Sequence, residues 1–125
     1  MIDVINKYEA GVKNREMFEL FLREFEAKQI GILNSEELSD PLATPKFGEV
    51  KDGQFLAIEK DGKIFIFPNP AVKVDRMTVA EQETIFFVDV REIQHGQSFH
   101  VVKPGILKRV DGSFERIERG RLCVY

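Results

Sequence analysis

The sequence predicts an α+β fold in which an amino-terminal helical segment packs on a small, mainly antiparallel β-barrel, SH3-like before OB-like or a curled sheet. Three observations carry that expectation. Apolar residues recur at helical spacing through the first 30 residues, which contain no proline. Beyond residue 46 the period changes to two, and Asp52-Gly53, Asp61-Gly62 and Asp111-Gly112 punctuate the alternating part as tight turns. At 125 residues, 43% hydrophobic and 31% charged, the chain buries roughly two-thirds of its unfolded surface, enough for one core without disulfides or a structural metal. The expected organisation is therefore a helical segment over 1–30, a connector over 31–46 and a small barrel over 47–125, in one compact unit.

Ile5, Tyr8 and Val12 form one apolar stripe, and Phe18, Phe21, Leu22 and Phe25 form a second that is out of phase with it. Gly11 and Asn14 lie at the break, and Asn14 is a good N-cap, so the spacing predicts a short helix, a turn and a longer helix to about Lys28. From Gly31 to Lys46 periodicity is lost among Asn34, Ser35, Glu36, Glu37, Ser39, Asp40, Pro41 and Pro45, residues that favour turns.

A short strand is expected at Phe47–Val50, then a hairpin of residues 54–60 and 63–67 across Asp61-Gly62. Ile64 and Ile66 alternate with Phe65 and Phe67, so both faces of that strand are apolar and neither is simply wet. A barrel interior on one side and a covering helix on the other satisfies both. Thr78-Val79-Ala80-Glu81 fits a capping box for one helical turn. Further strands are read at 84–90, at 99–103 continuing past Pro104-Gly105 to Val110, at 114–118 and, past Gly120, at 122–125.

Composition narrows function. A single cysteine, Cys123, excludes an internal disulfide and fits a reducing cytosol. The chain lacks a signal-peptide pattern and any run of 18 apolar residues, so a cytoplasmic protein without a membrane span is expected. The net charge of −3 conceals an asymmetry: residues 1–100 carry 12 basic and 18 acidic side chains, net −6, whereas residues 101–125 carry 6 and 3, net +3. Nucleic acid as the main partner is disfavoured by the total, although the basic end merits separate attention.

Lys60-Asp61-Gly62-Lys63 followed by Phe67-Pro68-Asn69-Pro70, then Val101-Val102-Lys103-Pro104-Gly105-Ile106, Gly112-Ser113-Phe114 and Glu118-Arg119-Gly120-Arg121-Leu122 form a rhythm of short hydrophobic strands, an aromatic after the last turn and a late glycine. Over residues 47–125 this resembles an uncharacterised β-rich module, SH3-like, that recurs in cyanobacterial proteins. The resemblance implies a small barrel attached to other segments and no activity or cofactor. Gly105 stands where the resemblance implies an alanine, a small departure.

Catalytic and metal-binding chemistry has little support in the residues. His95 and His100, with Cys123 or Asp89, have no diagnostic metal-ligand spacing, and neither a metal nor a cofactor is expected. Asp89 breaks the face formed by Ile85 and Phe87, which is the pattern of a solvated strand end paired with a base such as Arg91. The glycines mark turns and do not form a phosphate loop, and no nucleophile motif occurs, so the chain is not expected to be an enzyme.

Two surfaces remain. Phe18, Phe21, Leu22 and Phe25 form a stripe that must be covered, by the chain's own barrel or by another chain. Lys108, Arg109, Arg116, Arg119 and Arg121, interleaved with aromatics, suit a basic groove on which nucleobases stack. The first expectation is a non-enzymatic protein-interaction or assembly module that self-associates or docks through the amino-terminal helix, as a homo-oligomer or with an unknown protein partner. The alternative is a nucleic-acid-binding barrel using the basic strands.

Overall fold

The structure, a computed structural model, describes all residues from Met1 to Tyr125. Helix α1 (Ile2–Lys13) and helix α2 (Arg15–Glu24) are separated by Asn14, whose backbone is extended and whose side chain accepts a hydrogen bond from the Met17 N–H. Nine strands follow: β1 (Lys28–Ile32), β2 (Lys46–Glu49), β3 (Phe55–Lys60), β4 (Lys63–Pro68), β5 (Phe86–Asp89), β6 (Phe99–Lys103), β7 (Gly105–Val110), β8 (Ser113–Glu118) and β9 (Gly120–Val124). A short 3-10 helix (Ser35–Ser39) lies between β1 and β2, and helix α3 (Arg76–Gln82) precedes β5.

Six strands close a barrel in the order β1-β2-β8-β7-β4-β3, with every pairing antiparallel. Ile30, Phe47, Phe55, Ile66, Leu107 and Phe114 fill its interior, and the Phe47 and Phe55 rings meet edge to face at 5.5 Å. The other face of β4 carries the helices: the ring of Phe67 lies 5.0 Å from Tyr8 and 5.9 Å from Phe21. Tyr8 is wholly buried there, and its hydroxyl donates to the Pro68 carbonyl at 2.6 Å. Burial, with Glu9 beside it, holds that phenol well above its ordinary pKa, so it remains a donor.

The strands left over form a small mixed sheet, β5-β9-β6, in which β5 runs parallel to β9 and β6 antiparallel to it. The two sheets share one ribbon. Strand β6 runs through Pro104 into β7, and β8 through Arg119 into β9, so one long hairpin tipped by Asp111-Gly112 turns a corner between barrel and small sheet. Register irregularities at Val101/Lys103 and Ile106/Leu107 mark the bend. Gly120 is required there, because a Cβ would run into the Lys103 carbonyl. At Gly105 a methyl group would approach Ile66 Cγ2 to 2.8 Å and Ile85 Cγ1 to 2.9 Å, so both neighbours would have to shift to admit an alanine.

Neither edge of the small sheet is bare. Glu9 of α1 accepts from the Val101 N–H on β6 at 3.1 Å, and α3 packs along β5, leaving Phe86 wholly buried. No helix is long and apolar enough to cross a membrane.

The α+β architecture follows the expectation, but several boundaries move. The second helix ends at Glu24, not near Lys28, and is shorter than the first. Residues 28–32, read as helix end and connector, form the strand that closes the barrel against β2 and β3. The capping box belongs to Asp75 and Thr78, one turn before the Thr78/Glu81 pair, and starts α3 at Arg76. Three of the strands assigned to one barrel, β5, β6 and β9, form a separate sheet.

Candidate interaction surface

The helical stripe is spent on its own chain. Phe21 is 2% exposed, between Tyr8 and Phe67, and Phe18, Leu22 and Phe25 are partly buried against the same core. Phe21 therefore cannot meet another molecule while α2 is docked. The large apolar side chains that α2 shows to solvent are Met17 and Leu20.

The open surface is the outer face of the bent ribbon. Along β8 and β9, Phe114 and Leu122 point to the core; past the bulge opposite Ile106/Leu107 both Ile117 and Glu118 are exposed, and Glu115, Arg119, Arg121, Cys123 and Tyr125 line the outer side with them. Val102, Ile106 and Lys108 come from the other arm of the ribbon, Phe87 and Asp89 from β5, and Lys63 from β4. Phe87 is 51% exposed, Val102 53% and Ile117 61%. The guanidinium groups of Arg119 and Arg121 lie 5.1 Å and 5.6 Å from the centre of the Phe87 ring. Lys63, Lys103, Lys108, Arg119 and Arg121 outnumber Asp89, Glu115 and Glu118 on this side, so the face is basic on an acidic protein.

The five basic residues singled out in the sequence do not share it. Lys108, Arg119 and Arg121 do. Arg109 turns to the barrel mouth, over the Phe114 ring at 5.2 Å and 3.6 Å from Glu59. Arg116 turns inward and donates to the Thr84 carbonyl at 2.6 Å; partial burial, with Arg119 nearby, lowers its pKa. The five cations therefore do not line one groove: Arg109 is drawn to the barrel mouth, whereas Arg116 and Arg119 lie together over the adjacent Thr84 and Glu83 carbonyls. The sequence does not mark Phe87, Val102, Ile117 or Lys63, because which face of the ribbon stays open depends on strand pairing and on the bulge opposite Ile106/Leu107.

Register sets Asp89, Cys123 and His100 side by side across the small sheet. Asp89 pairs with Arg121 at 3.2 Å, so the strand-end expectation holds with a different base than Arg91. His100 is buried, its ring stacked 3.7 Å from that of Tyr125 and its Nδ1 3.4 Å from Glu9 Oε1. Cys123 is half-buried and His95 stands exposed in the loop before β6. No three His, Cys, Asp or Glu side chains converge as metal ligands. The barrel mouth holds a cavity of about 270 Å³ lined by Phe25, Lys28, Glu59, Ile64, Arg109 and Phe114, with Arg109 and Lys28 3.6 Å from Glu59 and Glu49 respectively. Its cations are thus already paired.

Comparison with protein-family models, curated proteins and solved structures returns no match for this chain.

Proposed function

We propose that the chain is a non-enzymatic protein-interaction or assembly module, acting through the outer face of the bent ribbon, and that it works in a reducing cytosol. The observation that carries this is the exposure of Phe87, Val102 and Ile117 among cations on the outer face of the ribbon. Aromatic and arginine side chains in such a setting are the groups that dominate binding energy at protein interfaces. The resemblance of residues 47–125 to a barrel module joined to other segments is in keeping with that role.

Light scattering on a sizing column tests it, at low and high salt and at concentrations that populate a weak complex. The expected result is a mass above 14.4 kDa that returns to the monomer value in a Phe87→Ser, Ile117→Ser double variant. Both positions are exposed, so the variant keeps its core. The alternative, single-stranded nucleic acid stacking on Phe87 between Arg119 and Arg121, predicts retention of an oligonucleotide that weakens steeply with salt as counterions are released. A monomeric chain that retains the oligonucleotide in that way overturns the protein-interaction reading.

A further inference from the structure

The segment between β1 and β2 has the chemistry that the ribbon face lacks. From residue 33 to residue 45 it carries Glu36, Glu37 and Asp40 and no basic side chain. It is held in shape: Asn34 donates to the Thr44 carbonyl at 2.9 Å and accepts from the Lys46 N–H at 2.8 Å. Asp40 accepts from the Leu42 N–H at 2.9 Å, closing a turn that presents the leucine. Leu42 is 90% exposed, the most exposed large apolar side chain of the protein. An acidic loop with a projecting leucine is thus built into the barrel.

The ribbon face contains its counterpart. A groove of about 440 Å³ lies over β4, β7 and β8, bounded by Ile106 and Ile117 and flanked by Lys63 and Lys108. Its acids are answered locally: Glu118 pairs with Lys103 and lies near Lys63, Glu59 pairs with Arg109, and Glu115 sits opposite Lys108 in register. The pairing with Lys103 holds the Glu118 carboxyl below its ordinary pKa.

Resting on the self-association arm of the reading above, we infer that the Leu42 loop of one copy docks in the Ile106–Ile117 groove of a second copy, with Glu36, Glu37 and Asp40 facing Lys63 and Lys108. Charge complementarity selects this occupant. The acidic loop and the basic groove belong to the same chain, yet the exposure of Leu42 shows that the loop does not fill its own molecule's groove. Two different surfaces meet, so the contact is heterologous: each added copy leaves one loop and one groove free, and assembly grows head to tail.

That asymmetry gives the test. Leu42→Asp removes the loop's anchor, and Lys63→Glu with Lys108→Glu reverses the groove; all three positions are exposed, and unchanged melting curves confirm intact folds. The wild-type mass is expected to rise with concentration beyond a dimer and to fall in high salt. Each variant alone is expected at 14.4 kDa. An equimolar mixture should give a complex of twice that mass and nothing larger, because one intact loop meets one intact groove. If the wild type associates but the mixture stays monomeric, or either variant still associates, the loop-in-groove contact is wrong while self-association stands. A wild type that remains monomeric at every concentration overturns both.

Discussion

The charged form of Glu81 is disfavoured by its surroundings. The residue sits on α3, and desolvation, followed by the nearby Asp75 charge, raises its carboxyl pKa above the ordinary value. A raised carboxyl pKa means that the folded state holds the proton more tightly than the unfolded state. Ionised Glu81 therefore opposes folding at neutral pH, and the penalty fades as pH falls through the raised value to the ordinary one. Glu81→Gln should accordingly be more stable than wild type at pH 7, by a fraction of a kcal/mol since the group is largely solvated (about 0.5). Urea unfolding at pH 7 and at pH 4 checks this, with the advantage shrinking at the lower pH. Glu118 has the opposite sign: its lowered pKa reflects a Lys103 contact present above the ordinary carboxylate range and lost as pH falls through the lowered value.

At the scale of elements, local signals and long-range pairing differ in how plainly they are written. Asn14 ends one helix and caps the next through a hydrogen bond three residues away, and Asp61-Gly62 and Asp111-Gly112 adopt the positive φ angles that their hairpin turns need. These depend on neighbours in the chain and were legible. Strand β1 was not: Lys28-Gln29-Ile30-Gly31-Ile32 follows a helix directly, has one glycine in five residues, and becomes a strand because Ile30 meets Phe55 and Glu49. The bent ribbon was read correctly as a strand interrupted at Pro104, but its corner is set by the approach of Gly120 to the Lys103 carbonyl. Gly120→Ala should cost about 1–3 kcal/mol, as overpacking against backbone does. Denaturant unfolding would show it, and a cost near zero would mean that the corner is pliable.

Across the whole molecule, helices and barrel share one core. Phe21 on α2, Tyr8 on α1 and Phe67 on β4 form a single aromatic cluster, so the helical segment is a wall of the domain and not an arm free to swing. Phe21→Ala should cost about 3–5 kcal/mol. It should lower the helical signal and the near-ultraviolet tyrosine signal in one coincident transition. Two separated transitions would instead mark the helices as an independent unit. The candidate site depends on the same closure: because Phe21 is spent internally and Phe18, Leu22 and Phe25 are partly buried, the exposed apolar residues that sit among cations are those of the ribbon.

Helix phase, Asn14, the Asp-Gly turns, the two-sided apolar strand Ile64–Phe67 and the poles of charge are properties of residues close in sequence, and the amino-acid order alone establishes them. The closing of β1, the parallel pairing of β5 with β9 and the turn of Arg109 to the barrel mouth beside Glu59 are different in kind. Each depends on which strands become neighbours across long stretches of chain, and a side chain's exposure is fixed only when the opposite face has been covered. Folding therefore decided which apolar stripe is spent and which is left open.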